Sequence, residues 1–233
     1  PVFNILEGAL EVILTNARDA KGFKARKTDV SAAEWLADLL RQGLLKPSFI
    51  PPLPIREIRE LTRYRESLGR EQTALANRSQ QLIESANIKL GQVASDVLGV
   101  SGKLMLRALA AGETDAEQRS HLAQRTLKRK QPQLRQALEG RVTQAQRWIL
   151  GQLLDQYDHV EAALQRAEER IRQEGENSAD PFVPEAVPLL DTIPGVGETV
   201  AQIIVAEVGV DMERFPTANH LASWAGMCPG NND

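Results

Sequence analysis

Apolar residues recur every three or four positions over two long stretches of this chain. From Ile55 to about Leu98 there is no proline, and Ile58, Leu61, Tyr64, Leu68, Leu75, Leu82, Ile83 and Leu90 keep helical spacing. Arg56, Arg59, Arg63, Arg65, Arg70 and Arg78 lie between them, offset by several glutamates, which predicts a long amphipathic helix. A second long helix is predicted from Pro132 to Gly175, on Leu134, Leu138, Val142, Ala145, Ile149, Leu153, Tyr157, Val160 and Leu164. This spacing resembles a heptad seam, so the two read as an antiparallel hairpin or as an intermolecular coiled coil. Between them, Gly99 to Gln131 supplies shorter helices and turns and carries the basic cluster Lys128-Arg129-Lys130.

The pattern changes at both ends. Residues 1–16 begin with a helical apolar stretch, and Glu11 to Asn16 reads as a short buried strand. A basic loop follows, with Arg18, Lys21, Lys24, Arg26 and Lys27. Ser31 and Glu34 have capping-box spacing at the start of a helix whose one face is Ala32, Trp35, Leu36, Leu39 and Leu40, and Gly43 ends it. Phe49-Ile50 reads as another short strand before Pro51-Pro52-Leu53-Pro54. At the other end, residues 174–180 (EGENSAD) read as a linker, and 181–233 as a small helical domain. The expected fold is mainly α, with a partial α/β piece at 1–54, a long helical region at 55–175 and a compact helical domain at 181–233.

Composition narrows the function classes. A net charge of −3 rules out a general polycation, so nucleic-acid contact has to come from local patches. One cysteine, Cys228, excludes an internal disulfide, and with three histidines it argues against a structural zinc site. No run is long and apolar enough to span a bilayer, so no membrane is expected, and a cytoplasmic setting is. The three tryptophans, Trp35, Trp148 and Trp224, fall in apolar helical patterns and read as core or seam anchors. The start lacks Met and a signal peptide, and reads as the interior of a longer frame.

The sharpest local signal is Ile193-Pro194-Gly195-Val196-Gly197, between a short helix over Val187–Asp191 and a second helix carrying Val200, Ile203, Ile204 and Val208. Gly195, Val196 and Gly197 are candidate nucleic-acid contacts. Two glycines permit a tight turn whose N–H groups approach a phosphate closely, and the next helix adds its unpaired donors. The alternative is a helix–helix turn that only packs. Lys24, Arg26 and Lys27 are further candidate contacts. Asp29 is a candidate catalytic and metal-binding carboxylate, with a helix cap as the reading its spacing favours. The arginine face over 56–78 reads as a solvated, ion-paired surface rather than an RNA track.

Two motif groups carry a family resemblance. Lys27-Thr28-Asp29, then Ala33-Glu34-Trp35-Leu36-Ala37-Asp38-Leu39-Leu40 and Gly43-Leu44-Leu45, resemble the second acidic motif of the DEDD transposases of insertion-sequence family one-ten. The Ile193–Gly197 run, Arg214-Phe215, Leu221 to Gly226 and Cys228-Pro229-Gly230-Asn231-Asn232 are similar to that family's C-terminal domain, in the family's order. The resemblance implies a RuvC-like, ribonuclease-H-like domain, a coiled-coil arm and a domain supplying a nucleophilic serine. It implies Mg²⁺ as cofactor and DNA as substrate. It also implies a structured guide RNA and a homo-oligomer built through the helical arm, associated with the nucleoid when bound. Of the acidic quartet only Asp29 has a match. Ala32 stands where another acid is usual, two acids fall before Pro1, and the expected serine falls after Asp233; Ser223 does not take its place. The expectation is a transposase fragment, short at both ends, that binds nucleic acid and is inactive alone. The alternatives are a non-catalytic helix-hairpin-helix and dimerisation module, or a helical scaffold.

Overall fold

A computed structural model of the chain describes residues 2–17 and 29–227. The chain divides into two compact units, residues 1–53 and 54–233. The protein is mainly helical, and no strand forms among the described residues.

The first unit contains α1 (Val2–Leu6) and α2 (Asp29–Arg41). Glu11–Asn16 and Phe49-Ile50 were expected as strands, and both lack regular structure. Ser48 N, just before the second segment, donates to Leu14 O of the first at 2.6 Å. A strand is stabilised by a ladder along its length, and neither segment has one. Ile5, Leu10, Leu14, Leu40 and Leu44 stay exposed, and Leu39 is the hydrophobic residue of this unit that is fully buried among those described. Ser31 lies inside α2 and not at its cap. The helix already includes Asp29, whose carboxylate suits a helix N-terminal turn. Gly43 ends α2 as expected: at φ +68 it lets Leu44 N reach Leu39 O at 3.0 Å.

The second unit is organised by two helices of 33 residues, α3 (Leu53–Ser85) and, later in the chain, a partner over Gln144–Glu176. Between them lie α4 (Val100–Ala110), α5 (Ala116–His121), a 3-10 turn over Arg125–Lys130, and α6 (Gln131–Leu138). Gln144–Glu176 is therefore α7. After it come α8 (Val183–Asp191), α9 (Glu198–Val208) and α10 (Ala218–Trp224). The predicted single helix over 132–175 is broken in two at Glu139–Thr143, and the predicted helix over 55–98 stops at Ser85.

Both breaks have one cause. Asn87 adopts φ +64, and Asn87 N and Ile88 N turn back to the carbonyls of Glu84 and Ile83 at 2.9 and 3.0 Å. This satisfies the last carbonyls of α3 and buries Ile88 completely. Gly140 then packs against the turn so closely that a Cβ there would lie 2.3 Å from Ala86 O. Arg141 N donates to the same carbonyl at 3.1 Å. α7 restarts behind a capping box in which Thr143 and Gln146 exchange hydrogen bonds with each other's backbone.

α3 and α7 run antiparallel. Ile83 shares a core with Leu150 and Leu154, and Leu68 and Leu75 share one with Val160, Ala163 and Ala167. The first of these cores also takes Met105, Leu106, Leu109, Leu134 and Leu138 from α4 and α6. Each such side chain, withdrawn wholly from water, contributes roughly 1.5–3 kcal/mol. Ile55 and Ile58 form a third core with Val183, Val205 and Ala206, which seats α8 and α9 on the start of α3. The tryptophans do not anchor these cores: Trp148 and Trp224 are 68% and 55% exposed, and Trp35 is half-buried. The long-helix seam instead closes on small and aliphatic residues.

Candidate nucleic-acid interface

The turn between α8 and α9 runs from Thr192 to Gly197. Its fold follows from its glycines and proline. Gly195 sits at φ +88, where a side chain would be strained. Val196 N donates to Ile193 O at 2.9 Å, closing the turn. Gly197 is the N-cap of α9 with φ −88 and ψ 171, and no side chain caps the helix. The first-turn N–H groups of α9 are thus left for an outside acceptor or water. A Cβ built at Gly195 or Gly197 meets nothing within 4 Å. Both glycines and their turn are exposed, with Val196 half-buried between them.

The electrostatics around this turn are mixed. Glu198 opens α9 and Asp191 closes α8, so two carboxylates flank the donors. Glu198 is engaged: Gln202 Nε2 donates to it at 3.1 Å, and Arg172 Nε lies 3.7 Å away. Positive charge is supplied from beneath. Arg65 of α3 is buried, and its Nη1 and Nη2 donate to Gln202 Oε1 at 2.7 Å and Thr199 O at 3.3 Å. Burial lowers the Arg65 pKa from its ordinary value, against the pull of Glu168 and Glu198, which raise it.

The far end of α9 is held by the same helix. Arg59 donates to the carbonyls of Ala206 and Glu207 at 2.9 and 3.0 Å, at the end of α9 where carbonyls lack partners. Arg63 pairs with Glu207 through two hydrogen bonds at 2.9 and 3.0 Å. Three arginines that the sequence assigns to a solvated face therefore bracket one helix. The reading missed this because arginine is rarely counted as a seam residue. The available signal was spacing: Ile55, Ile58, Thr62, Arg65 and Leu68 follow one another at three or four residues, and all are buried.

Lys24, Arg26 and Lys27 lie outside the described residues, as does the Cys228–Asn232 motif. Asp29 is exposed in the first turn of α2, with Ala32 half-buried one turn on. Ser223 is exposed on α10, beside Trp224, whose ring meets that of Phe215 edge-on at 5.9 Å between centroids. Among the described residues, no group of three or more His, Cys, Asp or Glu side chains converges. A divalent cation of the Mg²⁺ type wants several converging oxygens, and Asp29 offers one carboxylate, so the described donors do not fit that ion.

Two family models match parts of the chain. Residues 187–233, which include the glycine turn, match the model of the transposase IS116/IS110/IS902 family. Residues 3–88 match the DEDD-type IS110 transposase model. A 43.6 kDa protein of insertion element IS110 from Streptomyces coelicolor is 50% identical over 42 residues, which is 18% of this chain and 10% of that relative. No solved structure matches. Both matched models describe transposases. The chain belongs to the IS110 type.

Proposed function

We propose that this chain serves the DNA transposition of an insertion element as a nucleic-acid-binding part of its transposase, and that it grips the phosphodiester backbone at Gly195, Val196 and Gly197. The observation that carries this reading is the open, uncapped turn: Gly195 at φ +88, no atom within 4 Å of either glycine's missing Cβ, and free first-turn donors on α9. The match over 187–233 supports it by placing the turn in a transposase domain. In this reading α8, the turn and α9 are a helix-hairpin-helix. The first unit is a remnant of a RuvC-like domain, and α3 with α7 is a coiled-coil arm through which copies associate. DNA is the principal partner and structured guide RNA a second. The chain works in the cytoplasm, at the nucleoid when bound, and Lys24, Arg26 and Lys27 add contacts. Backbone contact of this kind positions DNA and carries no base readout.

Strand exchange is not carried by the described residues in this reading. Asp29 is a single exposed carboxylate, and Ala32 stands where the resemblance calls for another acid. A clean preparation is expected to show no Mg²⁺-dependent cleavage, and Asp29→Ala is expected to change nothing. Cleavage abolished by that substitution sinks the claim.

The second reading is a helical scaffold, favoured by the internal use of Arg59, Arg63 and Arg65. Binding to duplex DNA and to structured RNA, at low and high salt, separates the two. Salt-sensitive binding lost in Gly195→Ala/Gly197→Ala supports the grip, since phosphate contacts weaken steeply as salt rises. A folded protein that binds neither leaves the scaffold.

A further inference from the structure

The stretch from Gln118 to Leu138 carries six cations, Arg119, Arg125, Lys128, Arg129, Lys130 and Arg135, and no carboxylate, in a chain whose net charge is −3. It lies outside both family matches, which cover 3–88 and 187–233. Two of the six are occupied: Arg119 is buried, and Arg135 pairs with Glu117 at 3.2 Å. The other four are exposed on the 3-10 turn Arg125–Lys130 and its flank, and none of them makes an ion pair among the described residues.

This turn forms one rim of a cleft of about 650 Å³. The opposite rim is the N-terminus of α4, where Gly99 is the N-cap and no side chain caps the helix. The rims are tied together. Ser101 Oγ accepts from Gln124 N at 2.8 Å, and Lys130 Nζ donates to Val93 O at 3.2 Å. Gly102 packs beneath Val97 so tightly that a Cβ would fall 1.9 Å from the Val97 carbonyl oxygen. The cleft is therefore held by the chain's own packing and hydrogen bonds. Its one lining carboxylate, Asp96, accepts from Leu98 N at 3.0 Å. Arg125 holds φ +49, a conformation arginine rarely adopts, at the lip of the cleft.

The cations elsewhere on α4 are spent differently. Lys103 and Arg107 are paired with Asp155, Asp158 and Glu161 of α7. The four cations of the 3-10 turn stand apart from these pairs. Six residues of 3-10 turn extend roughly 10–12 Å at about 2 Å per residue. Phosphates advance about 3.4 Å along the axis per strand of duplex DNA, so the turn spans about three of them. That length suits a continuous polyanion better than a single phosphate.

We propose that this cleft, whose lining includes Arg125 and Lys130, forms with the exposed Lys128 and Arg129 of the same turn a second docking surface, on which the four cations take the phosphodiester backbone of duplex DNA. The inference rests on the reading that the chain binds DNA, but it does not use the glycine turn.

The test is titration of the full chain with a short labelled DNA duplex between about 50 and 200 mM salt. The variants are Arg125→Gln/Lys128→Gln/Arg129→Gln/Lys130→Gln, the smaller Lys128→Gln/Arg129→Gln, the charge-preserving Arg125→Lys/Arg129→Lys, and the hairpin pair Gly195→Ala/Gly197→Ala. The fourfold variant is expected to bind at least about tenfold more weakly and to reduce the log–log salt slope by about 2–3, at about 0.9 per lost phosphate contact. The smaller variant loses about half of that, and the charge-preserving one keeps wild-type behaviour. Unchanged affinity and slope in the two glutamine variants, with binding lost in the hairpin variant, overturns the cleft and leaves the hairpin standing. Loss of structured-RNA binding with duplex binding intact overturns the assignment to DNA. A wild type that binds no duplex at low salt overturns both.

Discussion

Arg65 Nη1 donates to Gln202 Oε1 at 2.7 Å, across 137 residues of chain, and both side chains are buried. A guanidinium on the long-helix seam thereby fixes the first turn of the helix that follows the glycine turn. Arg65→Ala should destabilise the second unit by about 2 kcal/mol, because it leaves the buried Gln202 amide oxygen without its donor. Arg65→Met/Gln202→Leu should be more stable than either single change, since an apolar pair strands no buried polar atom. Urea unfolding of wild type, Arg65→Ala, the double variant and its two single changes checks both statements. An Arg65→Ala curve that overlays wild type would mean the contact does not hold α9.

The two glycines of the turn should separate stability from binding. Gly195→Ala puts a side chain at φ +88 and should cost about 1–2 kcal/mol. Gly197→Ala keeps φ −88, meets no atom, and should be close to neutral in stability while placing a methyl in front of the α9 donors. Thermal unfolding together with DNA titration reads the two effects independently. If Gly197→Ala binds DNA like wild type, close backbone approach at that residue is not used.

Two other glycines are fixed by packing alone. Gly102→Ala and Gly140→Ala would drive a Cβ to 1.9 Å from Val97 O and 2.3 Å from Ala86 O, so backbone has to move in each. Both should lose about 1–3 kcal/mol or more, as overpacked sites do. Gly69→Ala, in mid-helix with open space around it, should gain about 0.5–1 kcal/mol and serves as the control. Denaturant midpoints that rank the three otherwise would contradict the packing described.

The ion pairs between α4 and α7 should make stability depend on pH at both extremes. Burial raises the pKa of Asp158, but hydrogen bonds from Arg107 and Lys103 outweigh it and hold the carboxyl below its ordinary 3.8. Its folded pKa is depressed, so the stabilisation is present above 3.8 and is lost as pH falls below that value. Burial acts to lower Lys103, but the hydrogen bonds it donates to Glu161 and Asp158 leave it above 10.5, so its share is lost as pH rises beyond that. Asp158→Asn should flatten the acid limb of a plot of unfolding midpoint against pH. An unchanged acid limb would assign that sensitivity to other carboxylates.

Much of the helical frame was legible in the chain. Ile58, Leu68, Leu75 and Ile83 lie on the buried stripe that their spacing predicts, and Gly43 ends its helix by the expected device. The register of α3 was harder, because the buried stripe passes through Thr62, Arg65 and Ser79, while Tyr64, which looks like a seam residue, is 53% exposed. The helix breaks at Asn87 and Gly140 depend on each other across 53 residues, and no local pattern encodes a contact that distant. The expected strands at 11–16 and 49–50 rested on apolar runs alone, and such runs do not specify a pairing partner. The glycine turn was legible because its chemistry is local. The Arg125–Lys130 cleft was only half legible: the cations stand together in the chain, but the Gly99–Gly102 rim comes from elsewhere.

The meeting of Arg141 N with Ala86 O has a consequence for how this protein can vary. The chain leaves the end of α3 and comes back to the start of α7 at one peptide group, so everything from Asn87 to Gly140 is an excursion with a common door. Its length does not set how α3 and α7 align. Such a segment can grow or shrink while the paired helices stay in step.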